Sequence, residues 1–215
     1  MSVNHFFVAH LSLTLATLFF AMLIATLKGW LLIKLLMLSL LMCGGMGKRL
    51  KKGEKPLFEV CGKKLVDHAL EALRNHEVIA VTSPYTTRTE EYLRAKGVKV
   101  YRARGRGFIE DYREAISGLK LSGPILIVCS DIIYLRDGIL DEVVYFYQKS
   151  NKKALKVVKN GCAVGINIIV AEEEGEQEEE SYIVDEVLNI NTEEDARRAE
   201  IIWTMMKKGK DLQKS

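Results

Sequence analysis

The chain lacks any Cys-x-x-C pair. Its four cysteines, Cys43, Cys61, Cys129 and Cys162, stand far apart, which argues against a zinc ribbon or a redox dithiol and for reduced thiols, three of them in or beside predicted strands. It lacks a large excess of either charge. A formal net charge of +3 over 215 residues suits one domain with a sizeable core and is too mild to demand a nucleic-acid partner. Aromatic residues are not interleaved with Arg102, Arg104 and Arg106, so the stacking pattern of a single-strand binder is missing as well. No internal repeat is present. Finally, Phe6 to Leu27 contains no Asp, Glu, Lys or Arg, and such a run is long enough to cross a bilayer as a helix. Lys28, Lys34 and the basic residues beyond would then hold the following residues on the cytoplasmic side, with the rest of the chain against the membrane. A cleaved signal peptide fits poorly, because no basic segment precedes the apolar run.

The chemistry is concentrated in Leu38 to Leu57, LSLLMCGGMGKRLKKGEKPL. An apolar run of strand length stops at Gly44, Gly45 and Gly47, and Lys48, Arg49, Lys51, Lys52 and Lys55 follow. Glycines here let backbone N–H groups face an anion without interference from a Cβ, and the cations neutralise the charge gathered there. Between Lys48 and Lys64 seven basic residues meet only Glu54 and Glu59. The implied ligand is a nucleotide. Two common loops are excluded by what is missing: Lys48 is followed by Arg49 rather than the Ser or Thr of a P-loop, and Leu50 stands where a dinucleotide-binding loop needs its third small residue.

Beyond the loop, helix and strand patterns alternate. Lys64 to Arg74 has helical spacing, Val78 to Thr82 reads as a strand ending at Ser83-Pro84, and Thr86 or Thr87 is expected to cap a helix that stops at Gly97. Val98 to Tyr101 is a strand, Arg102 to Gly107 a second basic glycine loop, and Ile109 to Leu119 a helix. Ile125 to Cys129 is the most hydrophobic strand and ends at Ser130-Asp131. This alternation predicts an α/β fold with a mostly parallel, doubly wound sheet. Ligands collect at the carboxyl ends of such strands, where the glycine loop, Ser83 and Asp131 all fall. Asp131 is placed either to hold a divalent cation such as Mg2+ against nucleotide phosphates or to cap a turn, a role better suited to Asp137.

The last third is less regular. Ala154 to Val158 and Val164 to Val170 read as strands, and Gly165 with Asn167 marks either close approach of a ligand or a β-bulge. Glu172 to Glu180 reads as a solvated acidic loop. Thr192 with Asp195 forms a capping pair before a helix near Glu193.

The combination G-G-x-G-x-R, Lys55-Pro56-Leu57 and Gly62-x-x-Leu65 resembles the signature of the MobA-like NTP transferase family, with Cys43 in place of the usual alanine. The resemblance implies a Rossmann-like nucleotidyltransferase sheet of the nucleotide-diphospho-sugar transferase type. A start at Met37, with 1–36 as an upstream extension, is the family-based alternative to a membrane anchor over 6–27. The segments G-x-G-F-I-E-D at 105–111, S-D-I-I-Y-L at 130–135 and V-D-E-V-L-N-I-N-T at 184–192 are similar to the archaeal adenosylcobinamide-phosphate guanylyltransferase branch over about Met37 to Met206.

This branch implies a cytoplasmic catalytic domain, 37–215, that takes GTP and adenosylcobinamide phosphate as substrates with Mg2+ as cofactor, and it leaves a homodimer open. By the same resemblance Gly44, Gly45, Gly47 and Lys48 hold the triphosphate. Arg49 and Lys55 stabilise departing charge, and Asp131 holds the metal. Ser83 lies toward the base, and Gly107, Glu110 and Asp111 are candidates for guanine or ribose contacts, although Glu110 and Asp111 also suit a helix N-terminus. Gly165, Asn167 and Asn191 fall on the acceptor side, Asn191 returning toward Asp131. Molybdenum-cofactor guanylyl transfer and sugar-phosphate nucleotidyl transfer share the phosphate machinery and differ in the acceptor.

Overall fold

A computed structural model describes residues 36–45, 47, 53–173 and 175–212. The apolar run 6–27 and the loop residues Lys48 and Arg49 lie outside the described residues. Among the described residues no helix is long and apolar enough to cross a membrane.

In chain order the elements are β1 (Leu38–Met42), β2 (Glu59–Val60), β3 (Lys63–Lys64), α1 (Leu65–Ala72), β4 (Glu77–Thr82), α2 (Thr87–Ala95), β5 (Lys99–Arg102) and α3 (Phe108–Leu119). They continue with β6 (Pro124–Cys129), β7 (Ile132–Tyr134), α4 (Ile139–Lys149), β8 (Ala154–Lys159), β9 (Cys162–Val170), β10 (Glu179–Ile183), β11 (Val187–Asn189) and α5 (Glu193–Leu212). The main sheet has the order β10-β8-β9-β6-β1-β4-β5. β1 pairs in parallel with β4 and with β6, and β4 with β5. β9 alone runs against its neighbours β6 and β8, while β10 is parallel to β8. The α/β sheet expected from the alternating pattern is therefore present, with one reversed strand.

β1 is central because it can be buried on both faces: Ser39, Leu40 and Leu41 are fully inaccessible, as the continuous apolar run of a parallel strand requires. On one face Leu40, Met42, Ile79, Val81, Ile125 and Ile127 cluster with Ala115 and Ile116 of α3. Each fully buried aliphatic side chain of this kind contributes about 1.5–3 kcal/mol. A second cluster joins Leu65 of α1, Ile133 of β7, Ile190, and Ala196 and Ala199 of α5, and it ties the C-terminal helix to the region just after the basic loop.

Three local expectations are corrected. Thr86 holds the N-cap position of α2, as expected, but its side chain makes no capping bond there. Thr86 Oγ1 accepts the Ser83 N–H at 3.1 Å, and Glu54 instead takes the helix N–H groups, accepting from Arg88 at 2.9 Å and Thr89 at 2.6 Å. The acidic run is not all loop. Glu179 and Glu180 open β10, and Lys153 and Lys156 sit on Glu173 and Glu179, so cations of the neighbouring strand region neutralise a sheet edge. Asp137 does not cap α4, whose N-cap is Gly138.

Gly165 has φ +83, and a Cβ added there would lie 2.7 Å from Cys129 Sγ. Gly165→Ala is expected to cost about 2–4 kcal/mol through left-handed backbone strain plus overlap. In a Cys129→Ala background the same change should cost measurably less by denaturant unfolding. An equal loss in both backgrounds would rule out the contact as the reason for glycine.

Candidate active site

The chain runs outward from β1 to β4 and β5, then returns to β6 on the other side of β1, so the order reverses between β1 and β6. The crevice at the carboxyl ends of those strands is the place where open α/β sheets bind ligands. Pairing continues one residue past the strands: the Cys43 N–H reaches Val81 O at 2.8 Å, and the Ser130 N–H reaches Met42 O at 3.1 Å. Gly44 and Asp131 thus leave the sheet from neighbouring, fixed positions. Ser83 is fully buried and its hydroxyl donates to Gly44 O at 2.7 Å, holding the start of the glycine loop from beneath. Gly47 has φ +60, and a Cβ there would press on Lys55 at 3.1 Å.

After the loop, Lys55–Leu57 forms a single 3-10 turn with Pro56 in its first positions. This turn points the Lys55 ammonium back at the crevice. It donates to Asp131 Oδ2 and, at 3.0 Å, to Asn191 Oδ1. Asn191 is held by the helix that follows it. Asp195 accepts the N–H groups of Asn191 at 2.9 Å and Thr192 at 2.8 Å, and Thr192 Oγ1 accepts the Asp195 N–H at 3.1 Å, the reciprocal cap expected from the sequence. Burial pushes the Asp195 carboxyl up, but the bonds from Asn191 and Thr192 outweigh it and hold the group below its ordinary value. The Ile190 N–H donates to Asp131 O at 2.9 Å, which clips the same segment to the end of β6.

Asp131 Oδ1 is buried and has no hydrogen-bond partner among the described residues. An orphaned carboxylate oxygen beside a cleft is an open lone pair for a cation, and the hard oxygen donor suits Mg2+. A cavity of about 520 Å³ opens here, lined by Gly45, Gly47, Lys55, Ser130, Asp131 and Asn191 among others. A second, of about 240 Å³, is lined by Gly44, Gly45, Tyr85, Gly105, Gly107 and Asp111. Both include Met42, Gly45 and Phe108 in their walls, so they form one cleft.

Of the residues singled out in the sequence, the cleft brings together Gly44, Gly45, Gly47, Lys55, Gly107, Asp111, Asp131 and Asn191. Ser83 supports it without lining it. Glu110 is exposed and folds back, its Oε2 2.5 Å from where a Cβ of Gly107 would stand. Gly165 and Asn167 lie within β9, outside both linings. Sequence reasoning overlooked Glu54, whose carboxylate couples the loop to α2, and the aromatic pair Tyr85 and Phe108. For Phe108 the available signal was an aromatic residue directly after the second glycine loop, at Gly107.

The MobA-like NTP transferase domain matches this chain over residues 39–174. The adenosylcobinamide-phosphate guanylyltransferase of Methanocaldococcus jannaschii is 35% identical over 191 residues, covering 76% of this chain and 96% of the relative. Among solved structures, the molybdopterin-guanine dinucleotide biosynthesis protein A of Archaeoglobus fulgidus superposes with a TM-score of 0.62 at 20% identity, over 79% of this chain and 100% of the other. The inositol-1-phosphate CTP transferase of T. maritima gives 0.61 at 13% identity, over 80% and 96%. These likenesses identify the sheet as a Rossmann-like nucleotidyltransferase fold.

Two thiols border the larger cavity. Burial pushes Cys43 up to about 12, with a Ser130 hydrogen bond opposing and the Asp131 charge adding to the rise. Burial also pushes Cys129 up, again with help from Asp131. Both stay protonated near neutral pH and are poor nucleophiles. Iodoacetamide at pH 8 should therefore label exposed Cys162 at least tenfold faster than either, read by peptide mass spectrometry, an order-of-magnitude expectation from thiolate fraction and access. Labelling of Cys43 as fast as Cys162 would overturn the neutral-thiol assignment.

Proposed function

The chain belongs to the MobA-like NTP transferase family, and from that premise we propose that it transfers GMP from GTP to the phosphate of adenosylcobinamide phosphate, releasing pyrophosphate. The observation that carries the reading is the convergence of Lys55, Asp131 and Asn191 on one cleft at the reversal of the sheet. The likeness to the M. jannaschii guanylyltransferase over nearly its whole length supports the choice of nucleotide and acceptor.

In this reaction an oxygen of the acceptor phosphate attacks the α-phosphorus in line. A new P–O bond forms as the bond from the α-phosphorus to the pyrophosphate oxygen breaks. No protein nucleophile is needed, so the residues act by placement and charge compensation. Backbone N–H groups of Gly44, Gly45 and Gly47 cradle the triphosphate. Lys55 delivers its ammonium to the charge that collects on the leaving pyrophosphate. Arg49, outside the described residues, has the same role by its place in the motif, and Lys48 joins the amides at the phosphates. Asp131 and Asn191 hold the Lys55 ammonium at the mouth of the cleft until the triphosphate arrives. Mg2+ bound through Asp131 Oδ1 would supply Lewis acidity and bring the phosphates to a fixed geometry. The residues present fit that ion: Asp131 offers one buried carboxylate oxygen without a partner among the described residues, a hard donor of the kind Mg2+ takes.

The full chain is incubated with each radiolabelled NTP, Mg2+ and adenosylcobinamide phosphate, and labelled corrinoid and pyrophosphate are measured. GTP-dependent labelling is expected, and it should fall on the order of 100-fold or more in Asp131→Ala and in Lys55→Ala. Excess chelator should stop transfer and added Mg2+ restore it; transfer that persists in chelator would remove the metal from the reading. Folded protein that binds GTP yet labels no corrinoid would discard the acceptor, and molybdopterin and sugar phosphates would be tested next.

A further inference from the structure

The smaller cavity contains a carboxylate that the phosphate chemistry does not use. Asp111 lies in the first turn of α3 and is 96% buried, with a relative exposure of 4%. Its Oδ1 accepts the Arg106 N–H at 3.0 Å. Its Oδ2 accepts no hydrogen bond from the described residues and stands 3.5 Å from where a Cβ of Gly44 would be, on the cavity wall. A buried carboxylate with one oxygen anchored and the other open to a cleft calls for a donor from a ligand.

The shape around it suits a flat heterocycle. Tyr85 and Phe108 line the cavity and remain 49% and 39% exposed, which leaves ring surface for stacking. Gly105 is needed beside Tyr85, since a Cβ there would come within 2.8 Å of the ring. Gly44 and Gly45 complete the wall and lead into the larger cavity with Lys55 and Asp131. A nucleotide whose phosphates occupy the larger cavity thus has its base within reach of the smaller one.

Among the common bases, guanine alone presents two adjacent donors, N1–H and the N2 amine, on its pairing edge. Adenine and cytosine each place an acceptor beside their amine, and uracil flanks its single N–H with two acceptors. A carboxylate matches the first pattern and repels the others. We infer that Asp111 reads the pairing edge of guanine and sets the base preference of this enzyme. The inference rests on the reading of the cleft as a GTP site. Oδ2 takes one donor, and Oδ1, which keeps a second lone pair beside the Arg106 N–H, takes the other.

The test measures binding and transfer of GTP, ITP, N1-methyl-GTP and XTP by the full-length protein and by Asp111→Asn, with folding of the variant checked by circular dichroism. In the wild type, loss of the N2 amine in ITP or blockage of N1–H in N1-methyl-GTP should cost on the order of 10- to 100-fold, the value of a good bidentate base contact. In Asp111→Asn the new amide donates to the O2 of xanthine, so the XTP-to-GTP ratio should rise on the order of 100-fold. A role for Asp111 limited to folding α3 would lower use of all four nucleotides together and leave that ratio unchanged, which would overturn the inference. If Asp111→Asn does not fold, the wild-type comparison decides: GTP, ITP and N1-methyl-GTP used equally would overturn it. Wild-type protein that binds no GTP removes the inference and the functional reading together. Guanylyl transfer without base-edge discrimination removes the inference alone.

Discussion

The Lys55 ammonium, held between Asp131 and Asn191, joins three segments that are 76 and 136 residues apart in the chain. Its value lies in position more than in stability. The two side chains of the ion pair are only 15% and 21% exposed, and at such sites the cost of desolvating both charges offsets most of their attraction. What the contact does is set a cation and a carboxylate next to each other at the mouth of a crevice. On the proposed reading, a triphosphate with a divalent cation would offer a partner to each half, oxygen to the ammonium and cation to the carboxylate, so that ligand entry would leave neither charge buried alone.

That arrangement depends on the sheet. Parallel pairing of β1 with β4 and β6 brings three carboxyl ends level, and the bonds from Cys43 and Ser130 carry this order one residue into the loops. The glycine loop is then fastened at both described ends. Ser83 holds Gly44 from below, and Glu54 docks on the exposed N–H groups of α2. A carboxylate at a helix N-terminus meets both unsatisfied donors and the positive end of the helix dipole. The backbone of the glycine loop is thereby placed by Ser83, just past β4, and by α2, neither of which lines the larger cavity.

Much of this was legible in the residues. The apolar run that breaks into glycines and lysines gave β1 and its loop, and the capping pair Thr192 and Asp195 gave the start of α5. Features decided by distant partners were not legible. α4 contains Val143, Val144, Tyr145, Phe146 and Tyr147, a local composition that favours strand, and only burial at 139, 140, 143, 144 and 147 reveals the helical period. β7 and β11 are three residues each and pair only with one another. The acidic run looked solvated because the lysines that neutralise it come some twenty residues earlier, with Lys153 on Glu173. Of the two readings of Gly165, the β-bulge is the one the structure bears out: the β8–β9 register shifts between the Asn167 and Ala163 pairs, and the atom against Gly165 is Cys129 Sγ.

The cleft contains two carboxylates, although its proposed ligand carries several negative charges. Placing anions in an anion site would be self-defeating unless each were compensated locally. Both are, by the same device. Asp131 has Oδ2 on the Lys55 ammonium and Oδ1 free. Asp111 has Oδ1 on the Arg106 N–H, in the first turn of α3, and Oδ2 toward Gly44. One oxygen of each is anchored by a donor of the protein, which orients the carboxylate, and the other has no partner among the described residues. The environments then separate their tasks. The free oxygen beside an ammonium and an amide, in the larger cavity, suits a cation that travels with phosphate. The free oxygen among glycines and aromatic rings, in the smaller one, suits the N–H edge of a base. On the reading proposed above, the placement of Asp131 in the larger cavity and Asp111 in the smaller one gives a nucleotide its direction along the cleft, triphosphate toward Asp131 and base toward Asp111.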